Sequence, residues 1–150
     1  MHNARNPHDS LSRSRTYRIL AVDDQADILG ILRSMLEMED YEIVTAASGE
    51  EALAAFEKQV PDLVLADLQM PGMGGIELLE RIRGHPEGKL LRVIVVTGSE
   101  DIAETMAALA AGADEIIRKP FKLDELQIRV RNALIHKGLV RVINDMRLFH

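Results

Sequence analysis

The chain contains no cysteine and no tryptophan, and aromatic residues make up only 3% of its 150 positions. Without cysteine, disulfides and thiolate metal sites are excluded, and a reducing cytoplasm is the expected compartment. So few aromatics leave Ala, Leu, Ile, Val and Met to fill the interior, which suits helices packed on a Val/Ile-rich sheet. No apolar run approaches the roughly 20 residues needed to span a bilayer, so no membrane partner is expected. Residues 1–17 mix Arg, Ser, Asn and His with no apolar centre. They read as a disordered polar tail and not as a secretory signal. Blocks of like charge are missing too: the formal net charge of −6 is spread along the chain, which argues against direct nucleic-acid binding. What remains is 47% hydrophobic and 28% charged, the composition of a globular chain whose length suits a single core.

Short apolar runs alternate with segments of helical period, and that alternation builds a parallel sheet with helices on both faces. Residues 18–22 (RILAV) read as a strand ending in Asp23 and Asp24. A helix through Ile28, Leu29, Leu32, Met35 and Leu36 follows, and residues 42–46 (EIVTA) make a second strand. Ser48 with Glu51 three residues later is a capping box opening the next helix, which Pro61 ends. Residues 63–66 (LVLA) form a strand apolar on both faces that stops at Asp67. After the loop MPGMGG at 70–75 comes a helix through Ile76, Leu79 and Ile82. VIVV at 93–96 ends at Thr97, an Ala-rich helix runs from about Asp101 to Ala111 with Gly112 as its stop, and residues 115–118 make a short fifth strand. The last helix starts near Leu123 and continues at least to Leu134. Five strand–helix pairs predict an α/β fold, a doubly wound five-stranded parallel sheet in the flavodoxin-like order 2-1-3-4-5.

Ligands in such sheets sit beyond the carboxyl ends of the strands, and that edge collects Asp23, Asp24, Asp67, Thr97 and Lys119. Clustered carboxylates repel and raise one another's pKa unless a cation joins them. A hard divalent ion meets that need: Mg²⁺, with Mn²⁺ as a substitute, takes oxygen ligands and tolerates a phosphate in its shell. Thr97 and Lys119 would face the same anion with a hydroxyl and an ammonium. The set suits phosphoryl transfer, in which a protein mainly positions groups and neutralises charge on equatorial oxygens. Asp67 would attack phosphorus in line and become an aspartyl phosphate.

In combination, DD at 23–24, DLQMPGMGG at 67–75, VVTG at 95–98 and KPF at 119–121 resemble the receiver domain of two-component response regulators, the CheY-like family, over residues 18–134. The resemblance implies that Asp67 is the phosphoacceptor. Asp23, Asp24, Asp67 and the backbone carbonyl of Gln69 would serve the metal, Thr97 would be the switch hydroxyl, and Lys119 would precede a cis peptide bond at Pro120. It further implies a sensor histidine kinase or histidine phosphotransfer protein as donor, and a changed surface at the fourth helix, fifth strand and fifth helix. No enzymatic activity is implied beyond phosphorylation and hydrolysis at Asp67 itself. Gln69 and Ser99, two places beyond Asp67 and Thr97, border the phosphoryl site and are expected to set how fast water reaches it. One position departs from the pattern. Ile116 stands where receivers often carry Tyr or Phe, so transmission is expected through the backbone after Thr97 and the fourth helix.

Blander readings exist for each residue alone. Asp23 and Asp24 could cap a helix, Asp67 could form a turn before Pro71, and Lys119 could be a surface charge; their coincidence at one sheet edge favours the site. Two other functions fit the fold: a pseudo-receiver acting as a protein-binding module, and a phosphatase forming an aspartyl phosphate. The phosphatase would need an Asp-x-Asp nucleophile after the first strand and a substrate cap, whereas Asp23 and Asp24 are adjacent and the loops are short. The five histidines show no metal spacing. Leu139, Val142, Met146 and Phe149 repeat at three, four and three residues in a helical extension or linker over 135–150, a pattern that Gly138 interrupts. That stripe would either fold back on its own domain or form a homodimer seam or a lead to an effector domain.

Overall fold

A computed structural model describes the backbone of residues 16–147 and the side chains of residues 16–135. Residues 1–15 of the tail predicted over 1–17 lie outside the described residues, as do residues 148–150. The elements are β1 (Arg18–Val22), α1 (Ala26–Glu37), β2 (Glu42–Ala46), α2 (Gly49–Lys58), β3 (Leu63–Ala66), α3 (Gly75–Gly84), a 3₁₀ turn (Pro86–Gly88), β4 (Arg92–Thr97), α4 (Ile102–Ala110), β5 (Glu115–Arg118) and α5 (Leu123–Arg147). All strand pairs are parallel, in the order β2-β1-β3-β4-β5, as the alternation predicts. Tyr17 belongs to the domain and not to a tail: its carbonyl accepts from the Glu42 N–H at 2.9 Å and its ring packs against the core.

Period-two alternation divides the strand side chains between two cores. Leu20, Val22, Val64, Ala66, Val93 and Val95 face one layer with Ala52 and Phe56 of α2, Leu78, Leu79 and Ile82 of α3 and Ala108 of α4. Ile19, Ala21, Leu63, Leu65, Ile94 and Val96 face the other, against Leu32 and Leu36 of α1 and Leu126 and Val130 of α5. Each fully buried Leu, Ile or Phe in these layers contributes about 1.5–3 kcal/mol relative to exposure.

The helix ends follow their local chemistry. Ser48 Oγ accepts from the Glu51 N–H at 3.1 Å, but the Glu51 carboxylate reaches past Ser48 to the Ala47 N–H at 3.2 Å, so the capping box closes one residue early. Asp101 Oδ1 accepts from the Ala103 and Glu104 N–H groups and opens α4, and Gly112 stops the following turn with φ 111°. Gly138 does not break the last helix, because α5 runs unbroken to Arg147. The 3₁₀ turn was not foreseen; Pro86 ends α3 as predicted and then starts the turn.

Aspartates at the amino edge of the sheet take over for missing ladder partners. Asp62 accepts from the Arg18 N–H at 2.8 Å and Asp114 from the Val93 N–H at 2.8 Å. Asp114 also pairs with Arg83 at 3.1 Å. The Arg83 guanidinium further donates to the carbonyls of Gly88, Leu91 and Gly112, so one side chain ties α3, the 3₁₀ turn and the α4–β5 corner together. Arg83→Met is expected to orphan those carbonyls and lower unfolding free energy by about 2–4 kcal/mol, read as an earlier urea midpoint at unchanged slope.

Candidate functional site at the carboxyl edge of the sheet

Register brings the site together. Val22 pairs with Ala46 and with Ala66, so Asp23 and Asp67 emerge side by side from β1 and β3. The ladder continues past the strands: the Asp23 N–H donates to the Ala46 carbonyl at 3.1 Å, Asp67 to Val22 at 3.1 Å, and Lys119 to Thr97 at 2.9 Å. Backbone at these three positions is therefore fixed by the sheet, not left to loop flexibility. The Lys119–Pro120 peptide bond is cis, as the resemblance implies.

The Lys119 ammonium lies 2.6 Å from Asp23 Oδ2 and 3.1 Å from Asp67 Oδ2. Asp23 is 1% exposed and Asp67 7%, and their remaining oxygens are also used. Asp23 Oδ1 accepts from the Gln25 N–H at 2.9 Å, and Asp67 Oδ1 from the Leu68 N–H at 2.7 Å. Burial alone would lower the Lys119 pKa, but hydrogen bonds and charge from both carboxylates outweigh it and hold the ammonium above its usual range. Its contribution to stability is therefore complete below the ordinary lysine pKa and is lost only as pH climbs through the raised value.

Asp24 is exposed and makes no hydrogen bond among the described residues. Capping does not account for the pair, since α1 is capped by Gln25 without a side-chain bond. Carboxylate oxygens of Asp23, Asp24 and Asp67 all lie within 4.8 Å of one another, three formal negative charges answered by one ammonium. An open cleft of about 340 Å³ in front of them is lined by Asp24, Gln25, Asp67, Gln69, Gly98 and Lys119. An all-oxygen donor set with excess negative charge and room for water fits a hard divalent cation.

Thr97 is fully buried, and its hydroxyl accepts from the Ser99 N–H at 3.2 Å. Ser99 Oγ in turn accepts from the Asp101 N–H at 3.2 Å. These turns carry the chain from β4 into α4, so a change at Thr97 is mechanically linked to that helix. Ile116 pairs with Val95 in the sheet and packs, half-buried, on the α2/α3 side of the core. Gln69 borders the cleft, and its amide reaches Glu104 of α4 at 3.4 Å.

Two neighbours of the site were not singled out from the sequence. Arg118 sends its guanidinium to the Ser99 carbonyl and to Thr105 Oγ1, fastening the β4–α4 loop to β5. Gly75 donates its N–H to the Leu68 carbonyl at 3.0 Å and lies against the Asp67 backbone. An Arg before Lys119 carries no periodic signal, but the doubled glycine of MPGMGG does hint at a close approach.

Fold and site together define a doubly wound α/β domain with a cation-attracting carboxylate cluster at its switch point. The chain belongs to the response regulator receiver domain family, whose model matches residues 19–131. It is 35% identical over 129 residues, 86% of the chain, to the phosphate regulon transcriptional regulatory protein PhoB of Rhizobium meliloti, and covers 56% of that protein. It is 39% identical over 117 residues, 78% of the chain, to the probable transcriptional regulator ycf27 of Cyanophora paradoxa, and covers 48% of it. The chain thus spans about half the length of these relatives. The crystal structure of a CheY-like response regulator receiver domain protein from Methanospirillum hungatei superposes with a TM-score of 0.79 at 35% identity, covering 83% of this chain and 98% of that one. Phosphorelay signalling is accordingly the function of this domain. No described helix is long and apolar enough to cross a membrane.

Proposed function

We propose that Asp67 accepts the phosphoryl group from a phosphohistidine on a sensor kinase or phosphotransfer protein. The observation that carries this reading is the Lys119 ammonium shared between two buried carboxylates, Asp23 and Asp67, at the mouth of a polar cleft. An Asp67 oxygen forms the new O–P bond while the N–P bond of the donor breaks and its electron pair stays on the imidazole. Asp23, Asp24, Asp67 and the Gln69 backbone carbonyl would hold Mg²⁺ or Mn²⁺, which supplies charge neutralisation between carboxylate and phosphoryl oxygens. Lys119 passes from Asp23 to a phosphoryl oxygen, and Thr97 gives up the Ser99 N–H to donate its hydroxyl to another. Gln69 and Ser99 flank the path of attacking water.

The receiver occupies residues 17–134, with 1–16 as tail and 135–150 as helical extension or linker, in a cytoplasmic protein with no activity beyond its own phosphorylation and hydrolysis. Its output surface is α4–β5–α5. On α4, Ile102, Met106 and Leu109 stand 74%, 60% and 43% exposed at spacings of four and three, an apolar stripe fit for a protein and not for nucleic acid. The names of the relatives, a transcriptional regulatory protein and a probable transcriptional regulator, support transcriptional control as the class of output. Ile116 leaves the loop after Thr97, fastened by Arg118, as the route from the site to α4.

Incubation with acetyl phosphate and Mg²⁺ should add one phosphoryl group, traced by mass spectrometry to Asp67. Absence of modification would leave a binding module, and turnover of external phosphate esters would indicate a phosphatase. Asp24→Asn should weaken Mg²⁺ binding by at least about tenfold, since even outer-shell losses cost about 10–100-fold. Unaltered Mg²⁺ titration would remove Asp24 from the metal set.

A further inference from the structure

Helix α4 opens on a sequence that reads as a capping box and does not close as one. Asp101 is the N-cap and Glu104 stands three residues later, the place from which a carboxylate ordinarily turns back to the N-cap N–H. The forward half is made: Asp101 Oδ1 accepts from the Ala103 N–H at 2.9 Å and from the Glu104 N–H at 3.4 Å. The return half is pre-empted, because the Asp101 N–H donates to Ser99 Oγ at 3.2 Å. The Glu104 carboxylate turns instead to the cleft, where it accepts from the Gln69 side-chain amide at 3.4 Å. A favourable position for an anion in the first turn of a helix would account for the residue type, but not for a bond to a side chain 35 residues away.

Gln69 is thereby held at both ends. Its backbone N–H donates to Asp67 Oδ1 at 3.4 Å, while its side chain, which lines the cleft in front of Asp67, crosses to α4. An ionised carboxylate can only accept hydrogen bonds, so the contact decides which way the amide is turned. Nε2 goes to Glu104, and the carbonyl Oε1 is left for water in the cleft. We infer that Glu104 is a positioning residue for hydrolysis of the aspartyl phosphate, turning the Gln69 amide so that its carbonyl, and not its NH₂, is offered to the attacking water. The inference rests on the assignment of Asp67 as phosphoacceptor. In that step the water oxygen bonds to phosphorus, and the bond from phosphorus to the Asp67 oxygen breaks with its electron pair returning to the carboxylate. Both water hydrogens leave on the inorganic phosphate, as H₂PO₄⁻. The Gln69 carbonyl takes no proton; by accepting a hydrogen bond from the water it aims the oxygen lone pair at phosphorus. Released from Glu104, the amide would rotate, and its NH₂ would bind that lone pair instead. Because Glu104 rides on α4 between the exposed Ile102 and Met106, the same bond makes the lifetime of the phosphate answer to whatever docks on that helix.

The full chain is loaded with acetyl phosphate and Mg²⁺, the small molecule is removed, and mass spectrometry follows loss of the phosphoryl group. Glu104→Ala is expected to lengthen the half-life about fivefold, the worth of one hydrogen bond of about 1 kcal/mol. Glu104→Gln keeps an acceptor oxygen in place and is expected to fall between the native chain and Glu104→Ala. In a Gln69→Ala background the Glu104→Ala change is expected to do nothing, since the amide it turns is gone. Before any phosphorylation, the side-chain N–H resonances of Gln69 are expected to shift on Glu104→Ala. A native or shortened half-life in Glu104→Ala, a half-life of Glu104→Gln beyond that of Glu104→Ala, equal lengthening in the Gln69→Ala background, or unmoved Gln69 resonances would each overturn the inference. Failure of the native chain to take up a phosphoryl group is seen before any half-life is measured, and it overturns the assignment of Asp67 and this inference with it.

Discussion

Asp67→Asn is expected to abolish incorporation of phosphoryl from acetyl phosphate and, at the same time, to raise the melting temperature. Both follow from the same geometry. The amide has no anionic oxygen to attack phosphorus, so mass spectrometry should show only background modification. The stability effect comes from charge. In the native site three carboxylates within 4.8 Å of one another share one ammonium, and Asp23 and Asp67 are nearly excluded from water. Removing one negative charge relieves like-charge repulsion and desolvation together. Lys119 keeps the shorter of its two partners, Asp23 at 2.6 Å, so no buried charge is abandoned. A gain of about 1 kcal/mol, or roughly 3–5 °C for a domain of this size, is the expected outcome. Mg²⁺ should stabilise the native chain by mass action and the Asn variant less. A variant that melts lower in metal-free buffer would show that the Asp67 hydrogen bonds outweigh the repulsion.

That trade between stability and chemistry was legible in the sequence only in part. Strand ends were readable because β1, β3 and β4 are apolar on both faces and stop at Asp or Thr, and the doubly wound order then placed those residues on one edge. The sheet register converted that placement into contact, since Val22 opposite Ala66 puts Asp23 beside Asp67. What no local pattern could give is how each polar group divides its bonds. Without a phosphoryl group Lys119 bridges Asp23 and Asp67, and the Thr97 hydroxyl accepts from the Ser99 N–H of its own loop. Arg83 and Arg118 were invisible for a related reason: each is held largely by backbone carbonyls, 5 to 29 residues away for Arg83 and 19 for Arg118, and a carbonyl leaves no mark in the sequence. Helix α5, expected to reach at least Leu134, runs on past Gly138 to Arg147, since one glycine costs a helix only about 1 kcal/mol and good helix formers on either side absorb it.

A large structural penalty that also reaches the chemistry is expected from a residue with no side chain. A Cβ placed on Gly75 would sit 2.2 Å from the Asp67 carbonyl oxygen and 2.8 Å from the Leu68 Cα, both backbone atoms that cannot rotate away. Gly75→Ala must therefore push the first turn of α3 off the end of β3, breaking the Gly75 N–H to Leu68 carbonyl bond in the process. Overpacking of this kind costs about 1–3 kcal/mol where side chains can yield and more where they cannot, so a loss of about 3 kcal/mol in a urea titration is expected. The same displacement reaches chemistry, because the Leu68 N–H that holds Asp67 Oδ1 at 2.7 Å lies in the segment being moved. Phosphorylation by acetyl phosphate should slow even at temperatures where the variant is fully folded. Gly30 supplies the contrast. In the middle of α1 an added Cβ there meets nothing within 4 Å, and Gly30→Ala should stabilise by about 0.5–1 kcal/mol through helix propensity while leaving the phosphorylation rate untouched. If Gly75→Ala matched Gly30→Ala in both measurements, the loop after Asp67 would have to be far more compliant than its backbone contacts imply.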